Sequence, residues 1–177
     1  MSKSVITIVL GWALFMVQSL AFAELCSQPV WQDEFSGVEL DSNRWSHVEG
    51  DGCAQGLCGW GNDEKQWYSS DNTYVADGML HIVAKRQRKG GAFYTSSKIT
   101  TENHFAQKFG RFEARMQIPL GKGFWPAFWM MPANAQKKWP LEGEIDVLEN
   151  SGHEPHRVLG AIHFGDTWPD NVHYSES

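Results

Sequence analysis

Helical periodicity is almost missing from this sequence after its first two dozen residues, which sets aside helix bundles and folds that alternate strand with helix. Positive charge is also short. Against 21 Asp and Glu there are 15 Lys and Arg, a balance that argues against nucleic acid and against an anionic membrane surface as partners. No internal repeat, low-complexity tract or linker long enough to divide domains interrupts the chain. Long apolar runs are limited to one, starting near Val5 behind a short segment that carries Lys3 and closing on Ala21-Phe22-Ala23. That small-x-small ending has the form of a signal-peptidase site, and Gln18 and Ser19 inside the run weigh against a membrane anchor. Residues 1–23 are therefore expected to be a cleaved signal and 24–177 a single domain, secreted or periplasmic and free of the membrane after cleavage. A lipid anchor on Cys26 does not fit, because Ala23-Glu24-Leu25 precedes it.

Cysteine is sparse, three in 177 residues. Export implies an oxidising compartment. There Cys53 and Cys58, flanking Ala-Gln-Gly-Leu in a glycine-rich loop, fit a short disulfide better than a metal clip, since zinc would want more ligands nearby. Cys26 is left without a partner. Tryptophan, in contrast, is abundant: nine residues, all but Trp12 beyond the expected signal. An indole N–H needs a partner in a core, whereas its flat face suits the apolar face of a sugar ring. Packing between two sheets accounts for several of these tryptophans, so the count alone leaves both readings open.

Short segments rich in β-branched and aromatic residues recur between clusters of Gly, Pro, Asn and Asp. They are residues 73–86, 93–101, 109–118, 124–131, 143–149 and 157–164. In 79–85, Leu80, Ile82 and Ala84 alternate with Met79, His81, Val83 and Lys85. In 111–118, Phe112, Ala114, Met116 and Ile118 alternate with Arg111, Glu113, Arg115 and Gln117. This period of two belongs to half-buried antiparallel strands, and many such strands predict an all-β sandwich or jelly roll.

Three carboxylates, Glu144, Asp146 and Glu149, stand in the segment Gly-Glu-Ile-Asp-Val-Leu-Glu-Asn at 143–150. A helix would scatter them, placing Glu144 and Glu149 roughly 140° apart around its axis. A regular strand puts Glu144 and Asp146 on one face but sends Glu149, five residues on, through the sheet. One extra residue cures this: a β-bulge at Val147-Leu148 returns Glu149 to the face of the other two. Two carboxyl groups about 5–5.5 Å apart are what retaining glycoside hydrolysis needs, one as nucleophile and one as acid then base. A third between them can hold the protonation states of its neighbours apart. The same side chains also suit a calcium site or a merely solvated acidic face.

The segment resembles the catalytic strand of glycoside hydrolase family 16 in its laminarinase-type form, Glu-x-Asp-x-x-Glu, the version with the bulge. Residues 31–45, 59–84, 94–101, 109–132 and 160–165 resemble that family's other blocks in the family's order. The resemblance implies a curved jelly-roll sandwich, concanavalin A-like, whose concave sheet forms an open cleft. It implies Glu144 as nucleophile, Asp146 as the residue that tunes it and Glu149 as general acid/base. Trp125 and Trp129 are similar to the family's cleft tryptophans, and His163 to a cleft histidine. Asn62, Glu64 and Arg115 would be polar contacts for sugar hydroxyls. The partner so implied is a polysaccharide, a β-1,3-glucan such as laminarin with mixed-linkage glucan as a secondary substrate. Agarose and a glucan bound without cleavage are the alternatives. Loss of the catalytic carboxylates is typical of relatives that only bind glucan, and both glutamates are present here. A monomer with no required cofactor is expected.

Family domains continue beyond the point corresponding to Ser177 with further strands that complete both sheets. By this resemblance roughly the C-terminal third is missing and the chain is a fragment. The partner of Cys26 and ligands of the structural calcium that many relatives carry would lie in the absent part.

Overall fold

A computed structural model describes residues 28–177. The expected signal at 1–23 and Cys26 lie outside the described residues. Ten strands and a few short 3-10 turns make up the regular structure: β1 Ser46–Val48, β2 Gln66–Tyr68, β3 Thr73–Ala76, β4 Met79–Ile82, β5 Tyr94–Ser96, β6 Lys98–Thr100, β7 Ala127–Met130, β8 Glu144–Glu149, β9 Leu159–Phe164 and β10 Val172–Glu176. The class is all-β, as the sequence predicts. Among the described residues no helix is long and apolar enough to cross a membrane. The chain divides into two compact units, one built on Glu49–Lys98 with the segment that ends at Asp41, the other on Ser42–Val48 and Ile99–Ser177.

In the first unit, β3 and β4 form an antiparallel hairpin with Val75 opposite Leu80 and Ala76 opposite Met79. Its two-residue loop, Asp77-Gly78, takes positive φ at both positions. This is the type I′ turn whose twist matches a hairpin and for which Asp-Gly is suited. β2 and β5 pair in parallel, a departure from the purely antiparallel expectation. The interior here is as polar as it is apolar: Asn72 is fully buried, and its amide donates to the Val83 carbonyl and, at 3.0 Å, to Thr95 Oγ1. Gly90 could be nothing else, since a Cβ there would overlap the Trp67 ring. Cys53 and Cys58 are joined in a disulfide.

The second unit contains the sheet that matters for function, an antiparallel meander in the order β10-β9-β8-β7. β8 is paired on both edges, and its register shifts against both neighbours. Along β9, Asp146 faces Ala161 and Glu149 faces Leu159, so three steps on β8 match two on β9. Along β7, Phe128 faces Leu148 while Trp129 faces Asp146, so two steps match one. An extra residue therefore sits at Val147-Leu148, where the sequence predicts the bulge.

Two expectations are corrected. Residues 111–118 form no strand. Their alternation marks which side chains could be buried, but a strand also needs a backbone neighbour, and among the described residues none pairs with them; Ala114 and Met116 are exposed instead of buried. In β4 the alternation does not sort burial either. Met79 and Ile82, assigned to opposite faces, are both exposed, while Leu80 and His81 are both half-buried. In a two-stranded ribbon burial follows whatever packs on it, and the pleat alone does not decide.

Candidate active site

Directly opposed residues of neighbouring strands share a face, as do alternate residues of one strand. The register thus collects one side of the four-stranded sheet. Glu144 lies opposite His163, which lies opposite His173; Asp146 lies between Trp129 and Ala161; Glu149 lies between Ala127 and Leu159. The bulge is what allows the third carboxylate to join the first two.

Each carboxylate has its own surroundings. Asp146 is the buried one, 6% exposed. Burial raises its pKa from the ordinary 3.8 to about 7, helped by the negative charges of Glu144 and Glu149 and by a hydrogen bond with Glu144. The physical sense is that a carboxyl group removed from water, with a carboxylate on either side, holds its proton. His163 Nε2 stands 3.4 Å from Asp146 Oδ2, an ion pair only when the imidazole is protonated and Asp146 is ionised. Its Nδ1 is buried without a hydrogen-bond partner.

The outer two carboxylates are half-buried and each accepts a hydrogen bond from an indole. Trp125 Nε1 donates to Glu149 Oε1 at 2.8 Å, and Trp139 Nε1 donates to Glu144 Oε2. Trp125 is brought to Glu149 by backbone bonds between the segment before β7 and the loop after β8. The Asn150 amide donates to the Pro126 carbonyl at 3.1 Å, and the Gly152 amide to that of Phe124 at 2.9 Å. Gly152 is required at this crossing, because a Cβ would collide with the Gly121 carbonyl oxygen. Trp139 precedes Glu144, the first residue of β8, by five positions and packs 5.5 Å from the His163 ring and 6.2 Å from that of Trp168, centroid to centroid. His173 lies 4.3 Å from His163 on the other side.

Of the residues singled out from the sequence, the second unit therefore brings together Glu144, Asp146, Glu149, Trp125, Trp129 and His163. Arg115 belongs to the same unit but is exposed on a stretch with no strand, so the polar face expected to carry it does not form. Asn62 and Glu64 belong to the first unit. There Glu64 Oε2 accepts hydrogen bonds from Tyr68 Oη at 2.8 Å and from Gln66 Nε2, and burial together with the Glu64 charge raises the Tyr68 pKa. Asn62, exposed, closes a 3-10 turn through its amide on the Gly59 carbonyl. Sequence reasoning missed Trp139 and His173. The first had a usable signal, a tryptophan just upstream of the acidic strand. The second becomes visible only through its register with His163. Among the described residues no group of three or more His, Cys, Asp or Glu is placed to hold a metal.

A bulged strand presenting three acids beside indole donors is an arrangement that can be compared with known proteins. Residues 61–175 match the family described as Glycosyl hydrolases family 16. The chain belongs to that family. Its relatives include the Glucan endo-1,3-beta-glucosidase A1 of Niallia circulans, 42% identical over 154 residues that make up 80% of this chain and 23% of that protein. The Glucan endo-1,3-beta-glucosidase of Cryptopygus antarcticus is 41% identical over 150 residues, 80% of this chain and 52% of that one. Among solved structures of the family, the laminarinase catalytic domain from Thermotoga maritima superposes with a TM-score of 0.77 at 37% identity, covering 84% of this chain and 62% of its own. The jelly-roll class expected from the sequence is thereby the fold of this family member. The chain spans between about a quarter and about three fifths of the length of these relatives.

Proposed function

We propose that this chain is part of a secreted or periplasmic glycoside hydrolase that cleaves internal β-1,3 linkages of glucan with retention of configuration. Glu144 attacks the anomeric carbon and forms a glycosyl ester while Glu149 gives its proton to the departing oxygen. Glu149 then takes a proton from the incoming water, which breaks the ester and restores Glu144. Protonated Asp146 donates to Glu144 and keeps that neighbour an anion ready to attack, a role supported by its raised pKa. The indole N–H of Trp139 on Glu144 and of Trp125 on Glu149 orient the two reacting groups. No cofactor enters this sequence of steps, and the protein acts as a monomer.

The observation that carries the reading is the bulge at Val147-Leu148, which gives all three acids one face. The choice of β-1,3-glucan rests on relatives whose names specify endo-1,3-β-glucosidase activity; mixed-linkage glucan is the secondary substrate. Incubation with laminarin, lichenan, agarose and carrageenan tests the choice, and activity confined to agarose would overturn it. Glu144→Gln should lower turnover at least about a thousandfold while glucan binding persists. NMR of the first products should show the β-anomer, and an initial α-anomer would rule out retention.

A further inference from the structure

The densest run of positive charge in this acidic chain is Lys-Arg-Gln-Arg-Lys at 85–89, which holds four of the 15 Lys and Arg. It falls between the segments 59–84 and 94–101, outside the blocks that resemble the family. The run forms one arm of a hairpin. Lys85 exchanges both backbone hydrogen bonds with Thr95, at 2.8 and 2.9 Å, and Lys89 pairs with Ala92 across Gly90 and Gly91, which both take positive φ. Side chains of an extended arm alternate, and here the alternation separates two jobs. Lys85 Nζ donates to the Asp71 carbonyl at 3.1 Å, the Thr95 hydroxyl donates to Gln87 Oε1 at 3.3 Å, and Lys89 Nζ donates to Ser69 Oγ at 2.6 Å and Asp71 Oδ2 at 2.8 Å. These three side chains bind the arm to its own unit. Arg86 and Arg88 do not share in this: Arg86 lines a recess of about 690 Å³. The Arg88 guanidinium lies 4.4 Å from the centre of the ring of Phe93, which lines the same recess.

Lys65 stands in the recess with Arg86, and Phe93 and Tyr94 present their rings there, 59% and 49% exposed. Among the described residues neither Arg86 nor Lys65 forms a salt bridge. The two acids of the recess, Asp51 and Glu64, each have one oxygen engaged: Asp51 Oδ1 accepts from the Cys53 amide at 3.0 Å, and Glu64 Oε2 accepts from Tyr68 Oη at 2.8 Å and from Gln66 Nε2. All of these residues belong to the first unit, whereas Glu144, Asp146 and Glu149 belong to the second. We propose that this recess is a second carbohydrate site, one that takes a uronate unit of an acidic polysaccharide. The fork of Arg86 matches a planar carboxylate with two parallel hydrogen bonds, and Lys65 adds a second positive charge. Phe93 and Tyr94 offer apolar faces to the sugar ring, and the second oxygens of Asp51 and Glu64 accept its hydroxyls. A polymer of phosphates fits less well, because its dense charge meets two carboxylates in the recess and a chain of net charge −6. One carboxylate per sugar, with hydroxyls around it, suits groups of both signs. The arm is also held still: Gly90 at its tip sits against the Trp67 ring, so closely that a Cβ would overlap it, and support of this kind keeps a binding group in place. Nothing here depends on the roles given to Glu144 and Glu149.

The test titrates fluorescently labelled trigalacturonate with the wild-type chain, Arg86→Ala, Arg86→Lys and Phe93→Ala, reads Kd from anisotropy, and verifies folding of each variant by circular dichroism. Arg86→Ala should raise Kd about tenfold or more, the loss of a charged hydrogen bond. Arg86→Lys should fall between, since it keeps the charge and loses the fork, and Phe93→Ala should weaken binding severalfold. Added salt should weaken it as well. An excess of unlabelled laminaritriose should leave the label bound. Displacement by that neutral sugar would put the uronate on a glucan-binding surface and overturn the proposal. So would an unchanged Kd in Arg86→Ala, or no binding by the wild-type chain. Tighter binding of a sulfated trisaccharide or of a single-stranded oligonucleotide of equal charge would overturn the choice of uronate and the site with it.

Discussion

Asp146 shows how far a single residue can be read in advance. The spacing of three acids predicts a middle carboxylate that separates the roles of its neighbours, and burial of that carboxylate raises its pKa to about 7. What the spacing could not supply was Trp139, because its indole reaches Glu144 through the path of the loop and not through any strand periodicity. The raised pKa has two measurable consequences. Between about pH 4 and pH 7 the folded chain holds a proton that the unfolded chain has released, so stability falls as pH rises through this window and stays reduced above it. Asp146→Asn removes the ionisable group. It should raise stability at pH 8, by up to about 4 kcal/mol for a shift of this size, and change it little at pH 4. Denaturant titration at both pH values checks this, and an equal effect at both would contradict the assignment. The same variant should lose the alkaline limb of kcat/KM near pH 7, because its amide donates to Glu144 at every pH.

At the scale of elements, β8 was legible because a burial requirement and a parity conflict coincided there. Three acids needed one face, and an odd separation forbade it without an extra residue. The Asp77-Gly78 turn is local too, written in two residues, although residues 73–86 read as one segment across it. Residues 111–118 failed for the opposite reason: alternation is a property of side chains, whereas strand formation depends on a neighbour elsewhere in the chain. The parity argument can be tested by changing the count. Deleting Val147 leaves Glu149 an even number of residues from Glu144 in an unbulged strand, so all three acids keep one face. Deleting Leu148 as well leaves an odd separation of three with no bulged pair, and sends Glu149 to the opposite face. The double deletion should therefore lose the contribution of the general acid, about 10²–10⁴-fold in kcat, while the single deletion retains more of it. Laminarin turnover by the two variants, alongside circular dichroism to verify folding, decides the matter; a double deletion no more harmful than the single one would refute the parity argument.

Taken as a whole molecule, the chain shows its family more clearly than its stability. Motif blocks in order were enough to read a jelly-roll member of this glycoside hydrolase family from sequence, because those blocks encode strands and turns. Packing is a property of the whole sheet and was not readable that way. Among the described residues only Val75 and Ala161 are buried hydrophobics. The side of the sheet opposite the acids carries Ile145, Ile162, Phe164, Val172 and Tyr174, all exposed, from 36% for Val172 to 63% for Tyr174. Apolar surface of that extent on one face is unusual for a soluble monomer, and the burial that drives a cooperative transition is correspondingly small. The chain at neutral pH should therefore bind the dye ANS strongly and unfold over a broad temperature range. Replacing Ile145 and Ile162 together by lysine should lower the dye signal without changing the acid face, since both point away from it. Calorimetry and ANS fluorescence on the two proteins provide the check. A sharp calorimetric transition with weak dye binding in the unaltered chain would show that this face is covered in solution.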